Sequence, residues 1–269
     1  METRTFNEIR RIVYERSGIT LSSAKMAMVS ARLGKRMRAL NIPDPERYVE
    51  ALKNGKNEEE LTHFIDAMST NVTNFYRESD HFDFMREALS RWAAKGQREF
   101  NFWSAACSSG EEPFTMGIVA HEVLKPFNPR IRILATDIST RVLAQCKEAT
   151  YAADKLGDIP PNVKARYFEK ITMDNGDTAY QIVPEIRSII TFSRINLSTT
   201  PFPMKGPMDI IFIRNVMIYF DDSVRKRLLA EASRLLKPGG YLMVGHSEGL
   251  TGLVSDLKLV KPAVYSRAA

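Results

Sequence analysis

After about residue 91 the chain alternates short apolar runs with amphipathic stretches, and no other feature constrains the fold as strongly. The runs are EFNFWSAA (99–106), RIRILATD (130–137), SIITFSRIN (188–196), MDIIFIRN (208–215) and GGYLMVGHSE (239–248). Several are near-continuously apolar, as strands buried on both faces of a parallel sheet must be. Between them the spacing predicts helices over 113–124, 139–148 and 221–236, the last opening at Asp221 and Asp222 and ending at LKPGG. Strands alternating with helices imply a doubly wound α/β sheet. Residues 151–190 break the rhythm. Their turn signal at DNGD and short alternating runs predict a small inserted β subdomain with a hairpin.

The first 70 residues read as a separate helical domain. Phe6, Ile9, Ile12 and Val13 recur at helical spacing, as do Val29, Leu33, Met37 and Leu40, with Pro43 and Pro45 marking a break. The second helix carries Lys25, Arg32, Lys35, Arg36 and Arg38, and residues 20–40 contain no acidic side chain. Lys25, Arg32 and Arg36 form a stripe beside the apolar one, which is either a solvated face or a docking surface for an acidic partner. The net charge of +6 fits either. No aromatic residue lies between 20 and 40 on which a base could stack, which argues against nucleic acid. No apolar run reaches 18 residues, and the start, METRTFNEIRRIV, is charged where a signal peptide carries its apolar segment. A cytoplasmic protein without membrane insertion is expected. The two cysteines, Cys107 and Cys146, make neither a disulfide framework nor a zinc pattern and are expected to be buried small residues, with no metal.

In an open parallel sheet, ligands sit beyond the carboxyl ends of the strands. After the first strand comes CSSGEEP, with one glycine, Gly110, where a dinucleotide fingerprint has three. Glu111 and Glu112 follow, and each would oppose a nearby pyrophosphate by about 1 kcal/mol or more at an effective dielectric near 20. The pair suits a ligand with hydroxyls and a positive charge. After the second strand stands Asp137, placed to accept ribose hydroxyls or, alternatively, to cap the helix starting at Ser139. Asn196 with Leu197, and Asn215 with Val216, follow the next two strands; each asparagine supplies a donor and an acceptor for an adenine edge or an amino acid's termini, or simply a turn. A phosphate-free nucleoside bearing an amino-acid tail and a cationic sulfur is S-adenosylmethionine.

Together TNVTNFYRESDHF (70–82), WSAACSSGEEPF (103–114), ATDIS (135–139), FIRNVMIYFD (212–221) and LLKPGGYLMVGHSE (235–248) resemble, in order and spacing, the motifs of the chemotaxis receptor methyltransferases, the CheR family. The resemblance spans nearly the whole chain. It implies a Rossmann-like class I methyltransferase domain over 91–269, a helical domain over 1–70, and a linker over 71–90 that carries a cofactor and catalytic motif. It also implies transfer of a methyl group from S-adenosylmethionine to glutamate carboxylates on chemoreceptor cytoplasmic helices, leaving S-adenosylhomocysteine. Carried over by position, the family's cofactor contacts fall on Asn71, Thr73, Arg77, Glu112, Asp137, Asn196, Leu197, Asn215 and Val216. Only the resemblance prefers Glu112 over Glu111. Some members pair a receptor C-terminal pentapeptide with a Gly-x-Gly turn in the β subdomain. Here the loop reads KITMDNGDTA, which argues against such a tether.

An ionised carboxylate is already a nucleophile, so methyl transfer to it needs no general base. The protein would position and desolvate it. Arg77 is expected to fix one oxygen by a charge-assisted bond. Tyr219 either donates to the same carboxylate or is a core aromatic, and His246 is expected to make a structural hydrogen bond. The basic helix, through Lys25, Arg32, Lys35 and Arg36, would dock the receptor.

Overall fold

The computed structural model describes residues 1–53, 58–253 and 256–268. Four helices come first: α1 (Thr3–Ser17), α2 (Met26–Ala39), α3 (Pro45–Lys53) and α4 (Glu58–Met68). Their apolar stripes meet in one core containing Phe6, Ile9, Val13, Val29, Leu33, Tyr48 and Phe64. Each such side chain gives about 1.5–3 kcal/mol on burial, which holds together helices too short to persist alone. Leu40, expected in the α2 stripe, lies past the helix end and is 39% exposed. Gly18 ends α1 with φ 71°, and a Cβ there would meet the Ser198 Cβ at 2.5 Å. This close approach docks the helical layer on the loop that follows the third long strand of the sheet.

Residues 69–78 are irregular. Helix α5 (Ser79–Ala94) occupies the rest of the expected linker and packs on α6 (Glu111–Leu124). The alternating region then builds β1 (Glu99–Ser104), β2 (Arg130–Asp137), α7 (Thr140–Glu148), β6 (Ile190–Arg194), β7 (Met208–Ile213), α10 (Asp222–Leu235) and β8 (Leu236–Val244). The hairpin strands β9 (Leu257–Lys261) and β10 (Val264–Arg267) complete a seven-stranded sheet in the order β6-β2-β1-β7-β8-β10-β9. The first five strands pair in parallel, and β10 is antiparallel to both neighbours. The hairpin is short and mostly exposed on β9, so it left no apolar run to read.

Alternate residues of one strand explain the continuous apolar runs. Ile210 and Phe212 of β7 join the core that contains residues of α5 and α6, while Ile211 and Ile213 join the core that contains residues of α10. The chain order reverses between β1 and β7, which opens a crevice at their carboxyl ends. The insertion is a three-stranded antiparallel sheet of β3 (Thr150–Ala152), β4 (Phe168–Thr172) and β5 (Thr178–Ile182), in the order β3-β5-β4, with helices α8 (Pro161–Tyr167) and α9 (Pro184–Arg187). Phe75 of the linker staples it to the crevice, with ring centroids 4.9 Å from Tyr151 and 5.4 Å from Phe168. Among the described residues no helix is long and apolar enough to cross a membrane.

Candidate functional site

The crevice opens into a cavity of about 1030 Å³, counting the space at its mouth. Asn71, Thr73, Arg77, Glu112, Asp137, Asn196, Leu197, Asn215, Val216 and Tyr219 all line it. Strand ends supply its floor, the linker one wall, and Ser17, Ile19, Leu21, Lys25 and Met28 from the helical layer another.

Asp137 ends β2. Its two oxygens accept the backbone N–H groups of Ser139 and Ser108, each at 2.9 Å. Ser139, not Asp137, caps α7, accepting from Val142 N–H at 3.4 Å. Burial pushes the Asp137 carboxyl above its ordinary value, against the pull of the N–H groups of Ser139 and Ser108. The remaining lone pairs are free to accept hydroxyls. Ser108 adopts φ 49° to turn its N–H toward Asp137, and its hydroxyl donates to the Asn71 carbonyl at 3.0 Å. One residue, Ser108, thus ties the linker to the strand end.

Tertiary structure separates the adjacent glutamates. Glu112 lines the cavity, accepting from Ser104 Oγ at 2.7 Å and from Arg214 Nη1 at 3.2 Å. Glu111 is buried on the other side, bonded to Ser109 Oγ at 2.6 Å with Lys155 Nζ 3.8 Å away. Burial raises both carboxyls; Arg214 opposes this for Glu112, and Ser109 does so for Glu111. Gly110, at φ 99°, has no alternative, because a Cβ would lie 2.8 Å from the Tyr151 hydroxyl.

Arg214 was not singled out from the sequence. Its side chain is 1% exposed and joins Glu78 (3.1 Å), Glu112 (3.2 Å) and the Arg77 carbonyl, over the faces of Phe82 and Phe212. The signal was present: an arginine directly after a strand buried along its whole length must find carboxylates or unfold the strand end. Glu78 also accepts from Asn215 Nδ2 at 3.2 Å. Burial pushes Glu78 up, but Arg214 and Asn215 outweigh it and hold its carboxyl below the ordinary value. Glu248 is a second organiser, accepting N–H groups of Asn215 and Gly245 at 2.7 Å and of Ile218 at 3.2 Å. It lets Asn215 hold φ 56°.

The two asparagines after successive strands differ. Asn215 reaches the linker through Glu78, whereas the Asn196 amide is spent on structure: its oxygen accepts from Ser198 N–H and Oγ, and Nδ2 donates to the Arg16 carbonyl at 2.9 Å. In the linker, the buried Nδ2 of Asn71 has no partner. Arg77 Nη1 donates to the Val72 carbonyl at 2.9 Å, leaving other guanidinium donors at the cavity wall. Tyr219 is partly exposed rather than a core aromatic; its carbonyl is gripped by Thr20, and Lys25 Nζ lies 4.9 Å from its ring centre.

The basic stripe of α2 requires correction. Arg32 donates to the Met68 and Ser69 carbonyls at 2.9 and 3.1 Å, capping α4 at the start of the linker. Arg36 binds the buried Glu60 carboxylate with two N–H groups, and Tyr48 donates to the same carboxylate. Opposing charge from another helix, rather than a partner protein, relieves the stripe's repulsion. Lys35 is exposed, and Lys25 stands at the cavity rim.

Both cysteines are free and buried, with Cys146 Sγ 3.1 Å from the Ser108 carbonyl. His246 Nε2 bonds Asp80 at 3.1 Å, as its structural reading requires. Among the described residues Glu78, His81 and His246 bring three potential ligand atoms within 4.8 Å of one another, but Arg214 and Asn215 already occupy both Glu78 oxygens.

Two family models match the chain: the CheR methyltransferase SAM binding domain over residues 71–265 and the CheR methyltransferase all-alpha domain over residues 4–69. Chemotaxis protein methyltransferase 2 of Pseudomonas aeruginosa is 36% identical over 98% of this chain and 92% of its own. The chemotaxis protein methyltransferase of Salmonella typhimurium is 36% identical over 97% of this chain and 89% of its own. That of Borreliella burgdorferi is 34% identical over 96% and 92%. Among solved structures, geranyl diphosphate methyltransferase in complex with SAM shows a partial likeness, with a TM-score of 0.36 and 18% identity over 62% of this chain and 48% of its own. With both of its domains matched and its relatives aligned over about nine tenths of their own length, the chain belongs to the CheR methyltransferase family.

Proposed function

We propose that this protein transfers the methyl group of S-adenosylmethionine to glutamate side-chain carboxylates on the cytoplasmic helices of chemoreceptors, acting in the cytoplasm. The observation that carries the proposal is a single cavity in which the linker's Arg77 and the Tyr219 loop stand beside the strand-end set of Glu112, Asp137 and Asn215. These residues suit the cofactor. Asp137 has lone pairs left for ribose hydroxyls, Glu112 supplies a carboxylate at the cavity wall, the orphaned Asn71 Nδ2 supplies a buried donor, and no glycine-rich cradle is present for a phosphate. The ligand set is Asn71, Thr73, Arg77, Glu112, Asp137, Asn196, Leu197, Asn215 and Val216, with Asn196 acting by holding its loop.

When bound, S-adenosylmethionine supplies a methyl group on a positively charged sulfur, which leaves as the neutral thioether of S-adenosylhomocysteine. The residues of this chain then have three tasks. Arg77 holds one oxygen of the acceptor carboxylate by a charge-assisted bond and leaves the other to attack. Tyr219 donates its hydroxyl to the same group and fixes its plane. The linker and the Ser17–Met28 wall exclude water, so that the carboxylate attacks from a poorly solvated state. No proton moves, hence no general base is assigned.

For receptor docking, Lys35 and Lys25, the latter over the Tyr219 ring, are the cations of the expected surface that make no hydrogen bond or ion pair among the described residues; Arg32 and Arg36 hold the helical domain together. The β4–β5 turn has its one left-handed glycine at Gly176, so a Gly-x-Gly tether site is not part of the proposal.

The test is incubation with methyl-labelled cofactor and receptor membranes, then alkali. A carboxyl ester releases volatile labelled methanol. Label that survives alkali, or no label on receptors despite cofactor binding, refutes the proposal.

A further inference from the structure

The segment that carries Tyr219 is anchored from both domains. At its start, Glu248 of the methyltransferase domain accepts the N–H groups of Asn215 at 2.7 Å and Ile218 at 3.2 Å, and the Tyr219 N–H returns to the Val216 carbonyl at 3.1 Å. At its end the anchors come from the helical domain. Thr20, between α1 and α2, donates its N–H at 2.8 Å and its hydroxyl at 2.9 Å to the Tyr219 carbonyl, and among the described residues that carbonyl has no other donor. Two residues further on, the Tyr14 hydroxyl donates to Asp221 Oδ2 at 2.6 Å, while Asp221 Oδ1 caps α10 by accepting the Val224 N–H at 2.9 Å.

We infer that Thr20 is a positioning residue for methyl transfer, acting from the helical domain through Tyr219, with Tyr14 supporting it at Asp221. This rests on the role proposed above for Tyr219 as a donor to the acceptor carboxylate. The reason lies in the backbone. With its N–H on Val216 and its carbonyl on Thr20, Tyr219 has both flanking peptide planes fixed, and with them the direction of its Cα–Cβ bond into the cavity. Tyr219 ends a turn of only three residues, Met217–Tyr219, too short to hold that direction by its own hydrogen bonds. Docking of the two domains does not need these bonds, because Gly18 already packs on Ser198 and the Asn196 amide already bonds the Arg16 carbonyl. Thr20 and Tyr14 are themselves exposed, so their hydroxyls add little to overall stability. What they fix is one residue at the cavity, where a small misplacement of a donor costs rate.

The test uses a purified receptor cytoplasmic fragment as acceptor and methyl-labelled cofactor. Thr20→Val keeps the backbone N–H and the branched shape and removes only the hydroxyl. It should lower kcat about fivefold, equivalent to about 1 kcal/mol, with the acceptor KM, the calorimetric cofactor affinity and the urea midpoint close to wild type. Thr20→Ser, which restores the hydroxyl, should return kcat to within about twofold of wild type, and adding Tyr14→Phe to Thr20→Val should deepen the loss to about tenfold. In a Tyr219→Phe background, Thr20→Val should change kcat by less than about 1.5-fold, since the hydroxyl it positions is gone. Wild-type kcat in the Tyr14→Phe, Thr20→Val double variant, an undiminished fivefold loss in the Tyr219→Phe background, or a matching loss of cofactor affinity overturns the inference and leaves the role of Tyr219 standing. Normal kcat in Tyr219→Phe itself overturns both that role and the inference, while methyl transfer to receptor glutamates stands.

Discussion

Arg214→Met tests whether the crevice is held open by one buried cation. The guanidinium touches Glu78 at 3.1 Å and Glu112 at 3.2 Å, with its own side chain 1% exposed. At an effective dielectric near 20, each pair is worth about 5 kcal/mol of direct attraction. Desolvation offsets most of that, and removing one partner of such a pair typically costs about 3–5 kcal/mol because the remaining charges stay buried. Methionine keeps apolar contact with Phe82 and Phe212, over which the guanidinium lies, so the electrostatic loss should dominate. Urea unfolding at pH 7.5 should show a loss of about 4 kcal/mol with an unchanged slope. The pH dependence sharpens the test. In the native protein Arg214 helps to hold Glu78 below its ordinary value, a stabilisation present at neutral pH and lost as pH falls through that lowered value. Without Arg214, Glu78 loses the largest of the influences that lower it and Glu112 the largest of those that oppose its burial, so both carboxyls rise. The folded variant then binds protons that the unfolded chain, with carboxyls near 4.3, does not hold, so the variant gains stability as pH falls. The gap to wild type should therefore narrow from pH 8 toward pH 5. The double variant Arg214→Met with Glu112→Gln should recover more than about 1 kcal/mol. A loss below about 1 kcal/mol, or a gap constant between pH 5 and 8, would refute this reasoning.

Arg77→Ala should lower methyl transfer by roughly 10²–10³-fold while cofactor affinity in calorimetry changes only a few-fold, since positioning is lost and the strand-end contacts are not; near-normal turnover would remove Arg77 from the mechanism. Arg36→Glu should cost about 2–4 kcal/mol in denaturant unfolding, by setting a carboxylate against buried Glu60, whereas exposed Lys35→Glu should stay within about 0.5 kcal/mol and weaken only receptor methylation. Equal stability of the two variants would return Arg36 to the docking surface. Burial, reinforced by Arg214, pushes His81 down to about 4. Between that value and about 6.5 the unfolded chain binds a proton that the folded one refuses, so stability should rise across this window by up to about 3 kcal/mol. His81→Phe should flatten that slope in unfolding measured from pH 4.5 to 6.5; an unchanged slope would exclude His81 as its source.

Much of this protein is legible along the chain. Strand β7 along its whole length, and β1 and β2 at their carboxyl ends, announce themselves because both faces are buried there, and burial on both faces leaves no polar alternation to disguise the run. Hydrophobic periodicity is a local code, and so are the turn at Gly110 and the acidic residue at the end of β2. The strand-end rule therefore reached Asp137 and Asn215, which the fold gathers into one cavity together with Asn71, Thr73 and Arg77, placed only by family resemblance.

Charge pairing follows a different law. It depends on distance through space and on desolvation, neither of which is written in neighbouring residues. Glu111 and Glu112 are adjacent, yet only the packing of α6 against Arg214, about a hundred positions later, turns one toward the cavity and the other toward Lys155. Arg32 and Arg36 look like a free basic stripe until α4 places its carbonyl end and Glu60 beside them. The sequence by itself determined which elements form and where ligands approach the sheet. Tertiary structure alone decided which charges are spent on holding the fold and which remain for chemistry, because a charge's partner is whatever the folded chain brings within a few ångströms of it.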